Sequence, residues 1–178
     1  MKNLLFVLFF ILVSVWGFAQ ETTTTTRLKR SFYSVHLLDN YQTTLKKLKD
    51  NTLVFVDPNS DFGDFDEEDP ELIKSKVIPY LPHIYFQFHG GKLFAISLFW
   101  DKKRMSYLEL YEKLKKRYGK PQSFTASNAR WEDADTLIIL DNLPSTKYID
   151  KKTFLGLQEQ DRRFYLKDII KDKILEEL

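Results

Sequence analysis

Four oxygen-bearing residues, Asp57, Asn59, Asp61 and Glu68, stand at positions one, three, five and twelve of a calcium-loop spacing. Oxygens at those offsets wrap a hard cation when the loop turns sharply at its sixth position, which needs glycine. This chain has Phe62 there and Gly63 one place late, which argues against an EF-hand. Two other readings compete: a solvated acidic loop with Phe62 and Phe65 tucked onto the body, and a loop that meets a basic partner. The four oxygen donors are the metal candidates, and Phe62 and Phe65 are binding candidates.

Other reactive residue types are scattered. His83 and His89 share a face if their segment is extended, but six residues at ~3.3 Å each separate them by roughly 20 Å, too far for one metal ion. His36 can approach either only through the fold. Glu132, Asp133 and Asp135 crowd one turn, whereas acid–base hydrolysis needs two carboxylates held across a cleft by different elements; a charged hairpin tip is the simpler reading. Trp131, Trp100, Tyr85 and Tyr107 can form an aromatic face for a peptide or glycan, although aromatics at strand and helix spacing commonly serve as core. Leu143-Pro144-Ser145-Thr146 is similar to the start of a sortase recognition sequence, but Lys147 takes the place of glycine and no apolar tail follows; it reads as a turn. The chain has no glycine-rich phosphate loop, nucleophile elbow or HExxH helix. No cofactor is expected.

The elements that position these residues are readable in part. Residues 32–38 suit a strand, after which Asp39 or Asn40 can cap a helix with Tyr41, Leu45 and Leu48 on one side. Residues 52–57 read as a strand, residues 58–71 as a long acidic loop, and residues 73–80 as a short helix or a strand stopped by Pro79 and Pro82. Ile84, Phe86 and Phe88 alternate with Tyr85, Gln87 and His89, and Gly90-Gly91 turns the chain back, a strong hairpin signal. In the returning strand, strict alternation puts Phe94, Ile96, Leu98 and Trp100 on one face and Leu93, Ala95, Ser97 and Phe99 on the other. That strand is apolar on both sides and so central.

Ser106 with Glu109 forms a capping box at the start of a second helix. Tyr107, Tyr111, Leu114 and Tyr118 recur along it, and Gly119 and Pro121 stop it. Residues 123–131, 136–141 and 147–150 then read as a meander. Residues 41–57 and 106–141 each run from helix to strands, suggesting an internal duplication. Leu166, Ile169, Ile170, Ile174 and Leu178 make the apolar stripe of a final amphipathic helix.

Residues 1–19 have the form of an export signal: Lys2, an apolar core of about a dozen residues, and small residues at Gly17 and Ala19. A bilayer span needs about 20 apolar residues, so a cleaved peptide is expected, with an uncleaved inner-membrane anchor as the alternative. A flexible threonine-rich leader over residues 20–31 and a single α+β domain over residues 32–178 complete the expected plan. Phe 15, Tyr 9 and Trp 3 supply a core, and Cys 0 means that no disulfide, lipidated cysteine or thiol nucleophile is available. Of 27 Lys and Arg only Lys2 leaves with the signal, against 25 Asp and Glu, so the remainder is nearly neutral. That balance gives no footprint for nucleic acid.

The stretch from Leu93 through the capped helix to Tyr118-Gly119-Lys120-Pro121, followed by Trp131 and residues 137–140, resembles small exported bacterial α+β envelope domains. Outer-membrane assembly lipoproteins of the BamE type share that style, as do uncharacterised spirochaete-type periplasmic proteins. The resemblance implies a periplasmic accessory or scaffold module working through protein contacts, with no catalytic residue to carry over. The expected fold is α+β: an antiparallel sheet with two helices on one face and a C-terminal amphipathic helix. The expected role is a non-enzymatic interaction protein of the periplasm or cell envelope, with other envelope proteins as partners. The alternative is an envelope hydrolase using Asp133, Asp135 or the acids of residues 64–68.

Overall fold

The computed structural model describes residues 27–56 and 72–162. Residues 1–26, the acidic loop with Asp57, Asn59, Asp61, Phe62, Phe65 and Glu68, and the stripe from Leu166 to Leu178 lie outside them. A short hairpin, β1 (Ser31–Phe32) and β2 (Val35–His36), precedes helix α1 (Tyr41–Lys49). Four strands follow: β3 (Phe55–Val56), β4 (Leu72–Val77), β5 (Leu81–His89) and β6 (Lys92–Phe99). Helix α2 (Tyr107–Tyr118) leads into four more, β7 (Ser123–Phe124), β8 (Asn128–Glu132), β9 (Thr136–Asp141) and β10 (Ser145–Asp150). The described part of a third helix, α3, covers residues 151–162.

The eight later strands form one antiparallel sheet in the order β3-β4-β5-β6-β10-β9-β8-β7. That order is two copies of one unit, a helix followed by a four-stranded meander, joined where the last strands of each copy pair. A duplication is thus present in the topology, with wider bounds than the suggested 41–57 and 106–141: the copies run over residues 41–99 and 107–150.

Local sequence explains the helix starts. The Asn40 side chain accepts from the Thr43 amide at 2.8 Å at the start of α1. In α2 the Ser106 hydroxyl accepts from the Glu109 amide while the Glu109 carboxylate accepts from the Ser106 amide at 2.9 Å, the reciprocal capping box expected from sequence. Gly90 and Gly91 both take positive φ, 54° and 67°, as a two-residue primed turn demands.

Both helices cover the same side of the sheet. Ile73, Phe86, Ile96, Tyr148, Ile138 and Trp131 face one another across six strands. α1 packs on the first half of this row through Leu48, and α2 on the second through Leu110 and Leu114. Trp100 and Tyr148 touch both cores and weld them together. On the opposite side a smaller cluster of Ala95, Leu137 and Ile149 is capped by Phe154 of α3.

Three local expectations need correction. Residues 32–38 do not run as one strand: Tyr33, at φ 50°, turns the chain between β1 and β2. Strict alternation in β6 fails at its start, because the register passes from Gln87↔Ala95 to Phe88↔Leu93 and leaves Phe94 as an extra residue. That bulge turns Leu93 to the helix side with Ile96 and Leu98 and sends Phe94 to the cluster under α3. Residues 123–131 are split into β7 and β8 by a turn in which the Thr125 hydroxyl accepts from the Ser127 and Asn128 amides.

Candidate functional site

The side of the sheet away from α1 and α2 is only partly covered. Its rows can be read from the register. At one end Ala95, Ile149 and Leu137 lie under Phe154. The central row is Lys74, Tyr85, Ser97, Lys147, Ile139 and Arg130. At the other end stand His83, Phe99, Ser145, Asp141 and Asn128. The rings of Tyr85 and Phe99 are 5.2 Å apart, and His83 lies 6.3 Å from Tyr85. Both rings are only half-buried.

Beside Phe99 the face deepens into an open cavity of about 540 Å³. Its apolar wall is Phe99, Trp100, Leu143 and Pro144, and its polar wall includes Asn128, Asp141 and Ser145. Leu143, at the tip of the β9–β10 turn, is 79% exposed, the most exposed large apolar residue described. The face's carboxylates are already engaged. Asp141 holds Lys147 at 3.0 Å and accepts from the Ser145 hydroxyl at 3.0 Å, and Glu132 pairs with Arg130 at 2.6 Å.

Of the predicted aromatic face, Tyr85 is on the open side, and Trp100 borders the cavity while its indole N–H donates to the Thr146 hydroxyl at 3.0 Å. Trp131 is a correction. It is 0% exposed, inside the α2 core, with its N–H donated to the Gly119 carbonyl at 2.9 Å. A buried indole needs such a partner, and the turn that ends α2 supplies it. Tyr107 and Tyr111 also pack on that core.

The acidic turn does structural work. The Asp133 carboxylate accepts backbone N–H groups from Leu28 (2.8 Å), Asp135 (2.9 Å) and Thr136 (2.7 Å). Burial opposes its charge, but those three donors with nearby Arg30 outweigh it and hold the carboxyl below the usual carboxylate range. Asp135 faces Arg27 at 3.8 Å on the surface. Neither acid faces the other across a cleft.

Sequence reasoning missed the residue that ties this corner together. Arg30 donates to the Asp135 carbonyl at 2.6 Å, to the Thr136 hydroxyl at 3.0 Å and to the Asp150 carboxylate at 2.6 Å. Asp150 also accepts from the amide and hydroxyl of Thr153, at 2.9 and 2.7 Å, and so caps α3. Burial again opposes the charge, and Arg30 with Thr153 overcomes it, leaving Asp150 below the usual range. Leu28 is 5% exposed, so the flexible leader expected through residue 31 is, over its described end, part of the fold. The one sequence signal was Asp150 three residues ahead of Thr153 at a helix start.

Among the described residues no group of three or more metal-ligating side chains gathers, and no helix is long and apolar enough to cross a membrane. Residues 30–160 match the family model of the TP0088 domain. The match is in keeping with the spirochaete side of the resemblance, while the BamE-type likeness is not confirmed. No curated protein and no solved structure matches the chain.

Proposed function

The chain belongs to the TP0088 domain family, and we propose that it is an exported, non-enzymatic interaction protein of the periplasm or cell envelope. In this reading residues 1–19 direct export and are removed, and a protein partner is received on the open side of the sheet. The observation that carries the reading is the apolar strip formed by Tyr85, Phe99, Leu143 and Pro144, at the end of the face away from the Ala95, Leu137 and Ile149 cluster that Phe154 of α3 covers. Partly exposed aromatics flanked by polar groups are what a protein interface needs at its centre. The state of the acids supports binding over hydrolysis, because Asp133 and Asp150 each accept three hydrogen bonds from backbone, hydroxyl or Arg30 donors and so serve the fold as structural acceptors.

The test is site-specific photo-crosslinking in the organism that makes the protein. A photo-reactive phenylalanine analogue at position 85 should yield a discrete protein adduct in the envelope fraction. The same group at position 108, exposed on α2, should not. Equal labelling from both positions, or a cytosolic protein that retains residues 1–19, would overturn the proposal.

A further inference from the structure

Resting on the reading that the open side of the sheet receives a partner, we infer that this partner presents an acidic polypeptide segment with one apolar anchor residue. The anchor enters the cavity between Phe99 and Leu143. The carboxylates around it meet lysines along the face.

The argument is one of unmatched charge. Both carboxylates of this face among the described residues are consumed locally, Asp141 by Lys147 and Glu132 by Arg130. Lys74 and Lys76, exposed on β4, and Lys102, exposed at the cavity, have no ion-pair partner among the described residues. Among the described residues the open face therefore carries a positive surplus. Its geometry selects a polymer. From β4 to β9 is four strand spacings, about 19 Å at ~4.8 Å each, more than a small anion can bridge and the length of about six extended residues. Between the outlying lysines and the cavity the Tyr85–Phe99 pair offers apolar contact at 5.2 Å, which suits a segment alternating carboxylates with an aromatic or aliphatic side chain. Duplex nucleic acid carries a charge every ~1.7 Å. Three unpaired lysines set among fixed carboxylates are a poor match to that density.

The experiment uses the full chain and fluorescence anisotropy at low salt. The probe is a labelled decapeptide with two Glu on each side of a central Phe. Controls carry Lys in place of Glu, or Ala in place of Phe. The expected result is at least tenfold tighter binding of the Glu–Phe probe than of either control, weakening severalfold when salt is raised. The combined variant K74E/K76E/K102E should reverse the Glu-over-Lys preference, and Leu143→Asp should abolish the advantage of Phe over Ala. All four side chains are exposed, and unchanged thermal melting confirms folding. Equal or better binding of the Lys peptide that is still lost in Leu143→Asp would overturn the acidic partner while leaving the interaction face standing. Binding of neither peptide, binding indifferent to both variants, or preferential binding of an oligonucleotide would also overturn it. In those cases the crosslinking pattern at positions 85 and 108 decides the parent reading separately.

Discussion

Replacing Arg30 by methionine keeps an apolar stem in place and removes the guanidinium that ties residues 27–30 to the β8–β9 turn and to α3. In the native fold the side chains of Arg30 and Asp150 are 18% and 7% exposed, with N···O at 2.6 Å. Removing one member of a buried pair costs about 3–5 kcal/mol because the other charge is left without its counterion. Asp150 keeps its two Thr153 donors, which favours the lower end. Loss of the bonds to the Asp135 carbonyl and Thr136 hydroxyl adds a little back. The expected cost is about 3 kcal/mol at pH 7, or a fall in Tm of about 6–12 °C for a chain of this size.

The acid side gives a sharper check on the same variant. Asp150 is held below the ordinary carboxylate range, so its contribution is complete above about pH 4, where the unfolded carboxyl ionises. It is lost as the pH falls through the lower folded-state value. Arg30→Met raises that folded-state value, so the variant should lose less stability than the parent between pH 7 and pH 3, though Asp133 still contributes. Urea unfolding followed by the fluorescence of buried Trp131 measures both quantities. A cost below about 1 kcal/mol at pH 7, or an acid-side loss as large as that of the parent, would refute the reasoning.

Truncating Trp131 to alanine should cost about 3–5 kcal/mol, whereas Leu143→Ser at the exposed turn should stay within about 0.5 kcal/mol in the same unfolding assay. Ser106→Ala breaks the capping box and should cost about 1 kcal/mol, with Glu109→Gln milder because a carboxamide can still accept from the Ser106 amide. Gly91→Ala, at φ 67°, meets no neighbouring atom and should still destabilise by about 1 kcal/mol through the backbone alone. Tyr148, wedged between the two cores, is pushed up to about 12 by burial and then by Tyr118. Its folded-state pKa lies above the unfolded value near 10, so stability should decline as the pH rises from about 10. Absorbance titration should show Tyr148→Phe removing a late-ionising phenol.

What could be read from sequence was what neighbouring residues decide. The capping box at Ser106, the Asn40 cap and the Gly90-Gly91 turn each depend on groups within four residues, and each stands where it was expected. The bulge at Phe94 was invisible because alternation through residues 93–100 is chemically consistent in either register; the shift shows only in the pairing with Gln87 and Phe88 of the partner strand. The burial of Trp131 depends on a carbonyl twelve residues away that becomes available only once α2 has ended at Gly119. Arg30 sat in a polar stretch that reads as spacer, and its partners lie more than a hundred residues downstream. Asp133 looked like a member of an acidic cluster; the fold uses it as a hydrogen-bond acceptor for three amides.

The doubled topology also explains why one side of the sheet is open, and why it offers one site where symmetry would give two. Two helix-plus-meander units meet through antiparallel strands β6 and β10, with Ser97 opposite Lys147 at the centre of the pairing. Units related about an axis through that centre and normal to the sheet must place their helices on the same side, as α1 and α2 are. Symmetry then leaves the other side bare at two equivalent ends, a large partly apolar surface that an isolated domain would expose at risk of association. Among the described residues α3 has no counterpart in the first unit. It covers Ala95, Leu137 and Ile149 at one end through Phe154, while the end with Phe99, Ser145 and Asp141 keeps its cavity. α3 follows β10 directly at that end, and the clasp of Arg30 and Asp150 anchors its start there. If that account holds, Phe154→Asp should free α3 from the sheet and expose a second apolar patch, raising binding of a hydrophobic dye such as ANS in a chain that still unfolds cooperatively. Unchanged dye binding in that variant would mean that α3 is not what closes this end.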